Sequence, residues 1–273
     1  MKKFTSVLLA LVMAVSILSA FSLNAVAAGN YIPKTIKMTQ TGGQYSVSYS
    51  DGTLTARANG TPIDHGLPYA FIALADVSTQ NRNIMITEGN DEIKYAMANV
   101  CRSGKVKKIV LHNYVDHYNS STDTINIKAS GGRVTQISHS VKRYYKGGSD
   151  SQQPSTSVYT YTYNDAGDLT KINWHAGSEA EKTTFTYDAS GRLVSSTWTC
   201  GVGKDVVTNF VLDAQGRVTR YGRLRYAYNS KGQLTKNDTF TYTYNDKGCI
   251  TKVVDHDVDN KAAATFNYTY QVI

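Results

Sequence analysis

The chain reads as an all-β protein, an antiparallel meander of repeated β-hairpins forming a curled or twisted open sheet. Three observations predict this. Aromatic residues alternate with threonine over whole segments, as in residues 239–244 (TFTYTY), the period-2 signature of a half-buried strand. Asn or Asp followed by two residues and a Gly recurs between such segments, as in residues 245–248 (NDKG). There the Asn side chain closes a turn and the Gly accepts positive φ. The composition agrees, with 20 Tyr but 4 Pro, and 21 Gly to serve turns, as expected of strands joined by tight connections. Residues 92–100 (EIKYAMANV) come closest to a helix, and they read equally as a strand entering a turn.

Residues 1–28 have the pattern of a signal peptide. Lys2 and Lys3 precede an apolar run, and small residues follow, with cleavage expected after Ala27 or Ala28. The apolar run is short for a membrane span, and no later stretch approaches the roughly 20 residues one needs. The expected product is secreted, with no stable membrane insertion once the signal is removed. The formal charge of +8 becomes about +6 without Lys2 and Lys3. That excess suits an anionic surface such as a cell-wall polymer, although Lys and Arg scattered along strands also deter edge pairing. No basic run of nucleic-acid type occurs, so no nucleic-acid partner is expected. Cys101, Cys200 and Cys249 are odd in number and two of them sit at turns, so no disulfide framework is predicted.

Residues 29–147 form a β-rich region with degenerate repeats, 148–157 a polar loop or linker, and 158–273 the clear repeats. The motif occurs there five times: residues 163–169 (YNDAGDL), 187–193 (YDASGRL), 212–218 (LDAQGRV), 228–234 (YNSKGQL) and 244–250 (YNDKGCI). In each, the aromatic ends a strand, Asn or Asp closes the turn, Gly takes positive φ, and Leu, Val or Ile starts the return strand inward. Fainter copies are residues 49–55, 100–106 and 130–135. Residues 60–83 break the pattern, and the apolar stretch 70–74 (AFIAL) is expected to cover one face of the sheet. Units of this size cannot each bury a core, so neighbours must pair into one continuous sheet.

These copies resemble the YD repeats of Rhs-like and wall-associated bacterial secreted proteins, whose core is Tyr-Asp-x-x-Gly-Arg-Leu. Residues 187–193 match that core at every defined position. The resemblance implies a spiralling antiparallel sheet displayed outside the cell or secreted. Large members wrap many repeats around a toxin domain; this short array implies no toxin cargo domain.

Chemistry-bearing clusters are few. Residues 255–260 (DHDVDN) have alternate acidic residues but lack the Gly and the bidentate Glu of a calcium loop, so no metal site and no cofactor is predicted. His112, Asp116 and His139 would serve a secreted hydrolase only by converging in a cleft. No nucleophile elbow or paired-Glu pattern accompanies them, and no catalytic residue is assigned. The tyrosines are the remaining candidates. Tyr159, Tyr161 and Tyr163 share a strand face, as do Tyr242 with Tyr244 and Tyr268 with Tyr270, while Trp174 and Trp198 lie on return strands. Such a ladder either packs as core or stacks sugar rings, with hydroxyls as polar handles. The functional expectation is an exported, non-enzymatic binding or structural module for cell-envelope or extracellular polysaccharide. The alternatives are a protein-interaction module of toxin-accessory or inhibitor type, and a secreted hydrolase.

Overall fold

The structure, a computed structural model, describes residues 31–40, 42–59, 105–114, 119–131, 133–145, 154–201, 205–256 and 262–272. Among these residues there are seventeen strands and no helix. Before the clear repeats come β1 (Tyr31–Met38), β2 (Gln44–Ser50), β3 (Thr53–Ala58), β4 (Lys108–Tyr114), β5 (Asn119–Ser130) and β6 (Arg133–Tyr145). The repeats supply β7 (Ser155–Tyr163), β8 (Leu169–Ala176), β9 (Glu179–Tyr187), β10 (Leu193–Cys200), β11 (Val206–Leu212) and β12 (Val218–Tyr221). They continue with β13 (Leu224–Tyr228), β14 (Leu234–Asn237), β15 (Phe240–Tyr244), β16 (Ile250–His256) and β17 (Ala262–Val272). Ser155–Ser157, expected in the polar connection, open β7 instead. The signal segment, residues 60–83, Cys101 and Asp116 lie outside the described residues.

The sheet is closed, which corrects the expected open one. Each strand pairs with its sequence neighbours, and β1 also pairs with β17 from Tyr31↔Val272 to Met38↔Phe266. Sixteen of the pairings are antiparallel, and β3–β4 alone is parallel, from Thr53↔Lys108 to Arg57↔His112. An odd ring demands this. Direction reverses at every antiparallel pair, so seventeen strands return to their starting sense only if one pair is parallel. Closure leaves neither end of the meander as a free edge.

The alternation predicted from the sequence sorts residues onto the two faces. Ile36, Tyr45, Leu54, Ile109, Ile125, Ile137, Tyr161, Phe185, Leu234, Val253 and Phe266 are all buried on the inner wall. Thr160, Thr162, Thr186, Lys182, Lys252, Asn267 and Thr269 are exposed outside. Apolar-in and polar-out is the reverse of a lipid-facing barrel. Wall height varies widely. β5 and β6 have 12 and 13 residues, against 4 in β12 and β14, or ~40 Å against ~13 Å at the usual strand rise. The wall therefore dips into a notch over β12–β14, at the end opposite the motif turns.

Candidate functional site

The motif turns join β7–β8, β9–β10, β11–β12, β13–β14 and β15–β16, so strand direction gathers them at one end of the barrel. Within each, the Asn or Asp Oδ1 accepts from the backbone N–H four residues on: Asp168, Arg192, Arg217, Gln233 and Cys249 in turn. The side chain at that fourth position complements the capping residue. Asp188 and Asp213 carboxylates meet Arg192 and Arg217, at 2.9 and 2.6 Å. Asn164 and Asn229 amides instead donate to Asp168 Oδ2 and Gln233 Oε1. Backbone and side-chain hydrogen bonds from Arg192 hold the Asp188 carboxyl below its ordinary value. For Asp213, burial pushes upward, but the bonds from Arg217 outweigh it and the net shift is down.

Successive turns interlock. The motif tyrosine reaches back to the carbonyl that opens the preceding return strand. Tyr163, Tyr187, Tyr228 and Tyr244 hydroxyls donate to Val134, Leu169, Val218 and Leu234 at 2.8, 2.8, 2.8 and 2.6 Å. In the opposite direction, Arg133 and Arg217 stack over the rings of Tyr163 and Tyr228. Arg133 also occupies the space beside Gly167 that a Cβ would need. The copy with Leu212 lacks the hydroxyl, so this link is missing between β10 and β11.

The predicted site residues therefore line the inner wall. Tyr159, Tyr161, Tyr242 and Tyr268 are buried, while Tyr163, Trp174, Trp198, Tyr244 and Tyr270 are half-buried. Tyr163 and Tyr244 are committed to the interlock just described. Burial, with Tyr159 and Tyr163 nearby, raises the Tyr161 hydroxyl well above its ordinary value. Its oxygen and the Trp174 Nε1 are buried without a hydrogen-bond partner. Trp174 faces Tyr159 across β7–β8 at 6.4 Å between centroids, and its next cross-strand partner is Glu181. The Glu181 Oε2 accepts the Trp198 indole N–H at 3.1 Å. Trp198 lies opposite Val206, the first residue of β11, at the edge of the notch. Trp174, Glu181 and Trp198 thus form a half-buried row of two indoles and a carboxylate on the inner wall. The sequence reading missed Glu181; its signal is an acidic residue at an inward position of an alternating strand.

The histidines do not converge. His139 faces inward and His112 outward, on opposite sides of the wall. The His112 Nδ1 meets the Thr122 hydroxyl at 3.1 Å, and burial, with Arg57 nearby, lowers its titration. His139 Nε2 lies 2.9 Å from Asp123 Oδ1, both side chains nearly fully buried, and Ser121 donates to Asp123 Oδ2. Asp123 too escaped the sequence reading, although it sits at an inward position of β5. Asp255 is buried on the inner wall, while the His256 Nε2 meets Thr241 outside.

At the notch, β11 changes partners partway along. Residues 206–209 pair with β10 and residues 210–212 with β12. On the β12 side, residues 206–208 have no strand partner among the described residues, and the Asn209 carbonyl accepts the Gly222 N–H at 3.5 Å. Val206 and Val207 are 49 % and 61 % exposed there, and Leu224 across the notch is 45 % exposed.

Comparison with known proteins follows the fold. No curated protein matches the chain. Among solved structures it is similar to the Photorhabdus luminescens Tc holotoxin pore carrying TccC3-D651A (13 % identity, TM-score 0.26, 61 % of this chain and 8 % of that one). It is similar also to TcdB2–TccC3 without its hypervariable C-terminal region (15 %, 0.26, 59 % and 8 %). A porin-like protein from Bacteroides uniformis is a third (16 %, 0.30, 56 % and 90 %). The chain spans under a tenth of either Tc toxin chain. The family model for the Teneurin YD-shell matches residues 94–272, well over half the chain. With its interlocked Tyr-Asn/Asp-x-x-Gly turns, the chain belongs to the Teneurin YD-shell family.

Proposed function

We propose that the chain is an exported, non-enzymatic module that binds a polysaccharide of the cell envelope or its surroundings. The row Trp174–Glu181–Trp198 carries this reading. Indole faces stack on the C–H faces of sugar rings, and a carboxylate beside them accepts sugar hydroxyls. The Trp174 N–H, buried without a partner, is a donor that a ligand hydroxyl would satisfy. Position supports the same reading, because the row ends at Trp198, opposite Val206 and beside the lowest part of the wall. The test is a glycan array with the purified chain and with Trp198→Ala. Selective glycan binding lost in the variant, with an unchanged circular dichroism spectrum, is the expected result; no binding by the parent chain overturns it.

A second reading has its own observation. The β12-facing side of residues 206–208, with two exposed valines, offers backbone groups to an added strand from a protein partner. Protection of the Val207 amide from hydrogen exchange by a partner, absent with glycans, would favour that reading.

A further inference from the structure

The short hairpin β12–β13 has an arrangement that stability alone does not favour. Arg220 and Arg225 are directly opposed across the pair on the outer face, both exposed, and Arg223 is exposed in the turn between them. Like charges directly opposed across a strand pair destabilise it. Among the described residues the ion pairs recorded are Arg192–Asp188, Arg217–Asp213 and His139–Asp123, and none of them includes Arg220, Arg223 or Arg225. The acidic side chain nearest in the bonding pattern is Asp238, whose Oδ2 accepts the backbone N–H of Arg225. Other outward residues beside the hairpin include Val211, opposite Arg220, Asn209, whose carbonyl accepts the Gly222 N–H, and Lys236 on β14, opposite Ala227. Three exposed arginines thus stand together at the floor of the notch. Exposed Val206, Val207 and Leu224 form its lip, and Gly222 of the turn sits against Thr208 on β11.

We propose that Arg220, Arg223 and Arg225 are the charge-reading half of the glycan site, and that the ligand is an acidic polysaccharide bearing carboxylate or phosphate groups. Guanidinium forks bind both groups bidentately. The turn lies beside β11, whose Val206 is opposite Trp198, the last member of the inner row on β10, so a chain crossing the notch meets indoles inside and arginines outside. The apolar lip between them suits the C–H faces of sugar rings. The opposed pair Arg220↔Arg225, unfavourable in the free protein, is relieved when an anion sits between the two. The inference rests on the polysaccharide reading above and names its ligand class.

The test measures binding of the purified chain to immobilised polygalacturonate (carboxylate), to a poly(glycerol phosphate) (phosphate) and to neutral dextran across a salt series. Two triple variants are compared: Arg220→Gln/Arg223→Gln/Arg225→Gln, and a charge-matched control of exposed lysines elsewhere, Lys128→Gln/Lys182→Gln/Lys252→Gln. The arginine triple is expected to lose about tenfold or more in affinity for one of the anionic polymers, with a shallower salt dependence. The polymer that loses most identifies the anion. The lysine triple is expected to stay within about twofold, since surface charges away from a site act only through a screened field. A melting temperature in the arginine triple equal to or above the parent's excludes loss by unfolding and is itself expected from removing opposed charges. Anionic binding unchanged in the arginine triple, or equal losses in both triples, overturns the arginine site while leaving glycan binding intact. Parent protein that binds no polymer overturns both.

Discussion

The hydroxyl of Tyr244 donates a 2.6 Å hydrogen bond to the backbone carbonyl of Leu234, joining the turn after β15 to the return strand of the preceding hairpin. The same bond recurs from Tyr163, Tyr187 and Tyr228. The motif tyrosine is therefore a tie between hairpins as well as an apolar body. A phenylalanine would supply the ring but not the tie, and this gives the excess of Tyr over Phe a structural use.

Tyr228→Phe keeps the ring under Arg217 and removes the bond to Val218. The expected cost is about 1 kcal/mol, the net worth of one hydrogen bond. The reverse change, Leu212→Tyr, supplies the missing hydroxyl between β10 and β11 and a ring for Arg192. It is expected to stabilise by about 0.5–1 kcal/mol. Urea unfolding midpoints of the two variants should move in opposite directions.

Gly167 has φ of +89°, and Arg133 fills the space where a Cβ would go. Gly167→Ala should cost about 1 kcal/mol for the backbone alone, and more because the guanidinium must leave the Tyr163 ring. Gly177→Ala, at φ +57° with open space around it, should cost less. A comparison of the two melting temperatures separates backbone strain from displacement of Arg133.

Acid should weaken the turns. The Asp188 and Asp213 carboxyls titrate below their ordinary value in the folded chain. Their contribution is therefore fully present above about pH 4, the unfolded value, and is lost as pH falls through the folded values. His112, lowered by burial and Arg57, acts in the same direction at higher pH. Stability falls as pH drops through about 6.5, where the unfolded imidazole is half-protonated. Asp188→Asn/Asp213→Asn should flatten the pH 5 to pH 2 limb of a urea-midpoint profile, and His112→Gln the limb near pH 6.

His139→Ala leaves the Asp123 carboxylate buried without its imidazole. A loss of about 3 kcal/mol is expected, as when one member of a buried pair is removed, with Ser121 still donating to Asp123. The double variant Asp123→Asn/His139→Gln should recover part of it, and a double-mutant cycle in urea measures the coupling. Additive losses would show that the two side chains act independently.

Phe266 is fully buried, opposite Met38 on β1 and Val253 on β16. Phe266→Ala should cost about 3–5 kcal/mol, as large-to-small core changes do. Because it sits on the closing strand, it should also raise hydrogen exchange in β1 more than in β8.

The turns and strand faces were legible because their code is local. Asn or Asp, a Gly two residues beyond its neighbour, and an apolar residue after it are all read within one hairpin. The side-chain pairs Asp188–Arg192 and Asn229–Gln233 are likewise spaced by four. Alternation placed Tyr159, Tyr161 and Tyr163 on one face, and in the barrel they share the inner wall. It could not say whether that face would be covered, since burial depends on what lies across the sheet. That choice was tertiary: Tyr161 is enclosed, and Trp198 stays half open where β12 is short.

By itself, the sequence determined an all-β chain of hairpins with Tyr-Asn/Asp-x-x-Gly turns, and which residues fall on the same side of each strand. Only the tertiary structure decided that the sheet closes. The β1–β17 pairing joins Met38 to Phe266 through backbone groups that every residue carries, so no residue type announces it. The parallel β3–β4 pair was equally invisible, being a consequence of ring parity and not of any local signal. Placing His139 against Asp123 and opposing Arg220 to Arg225 required the register of the pairs that hold them, which the turns and the closed ring set together.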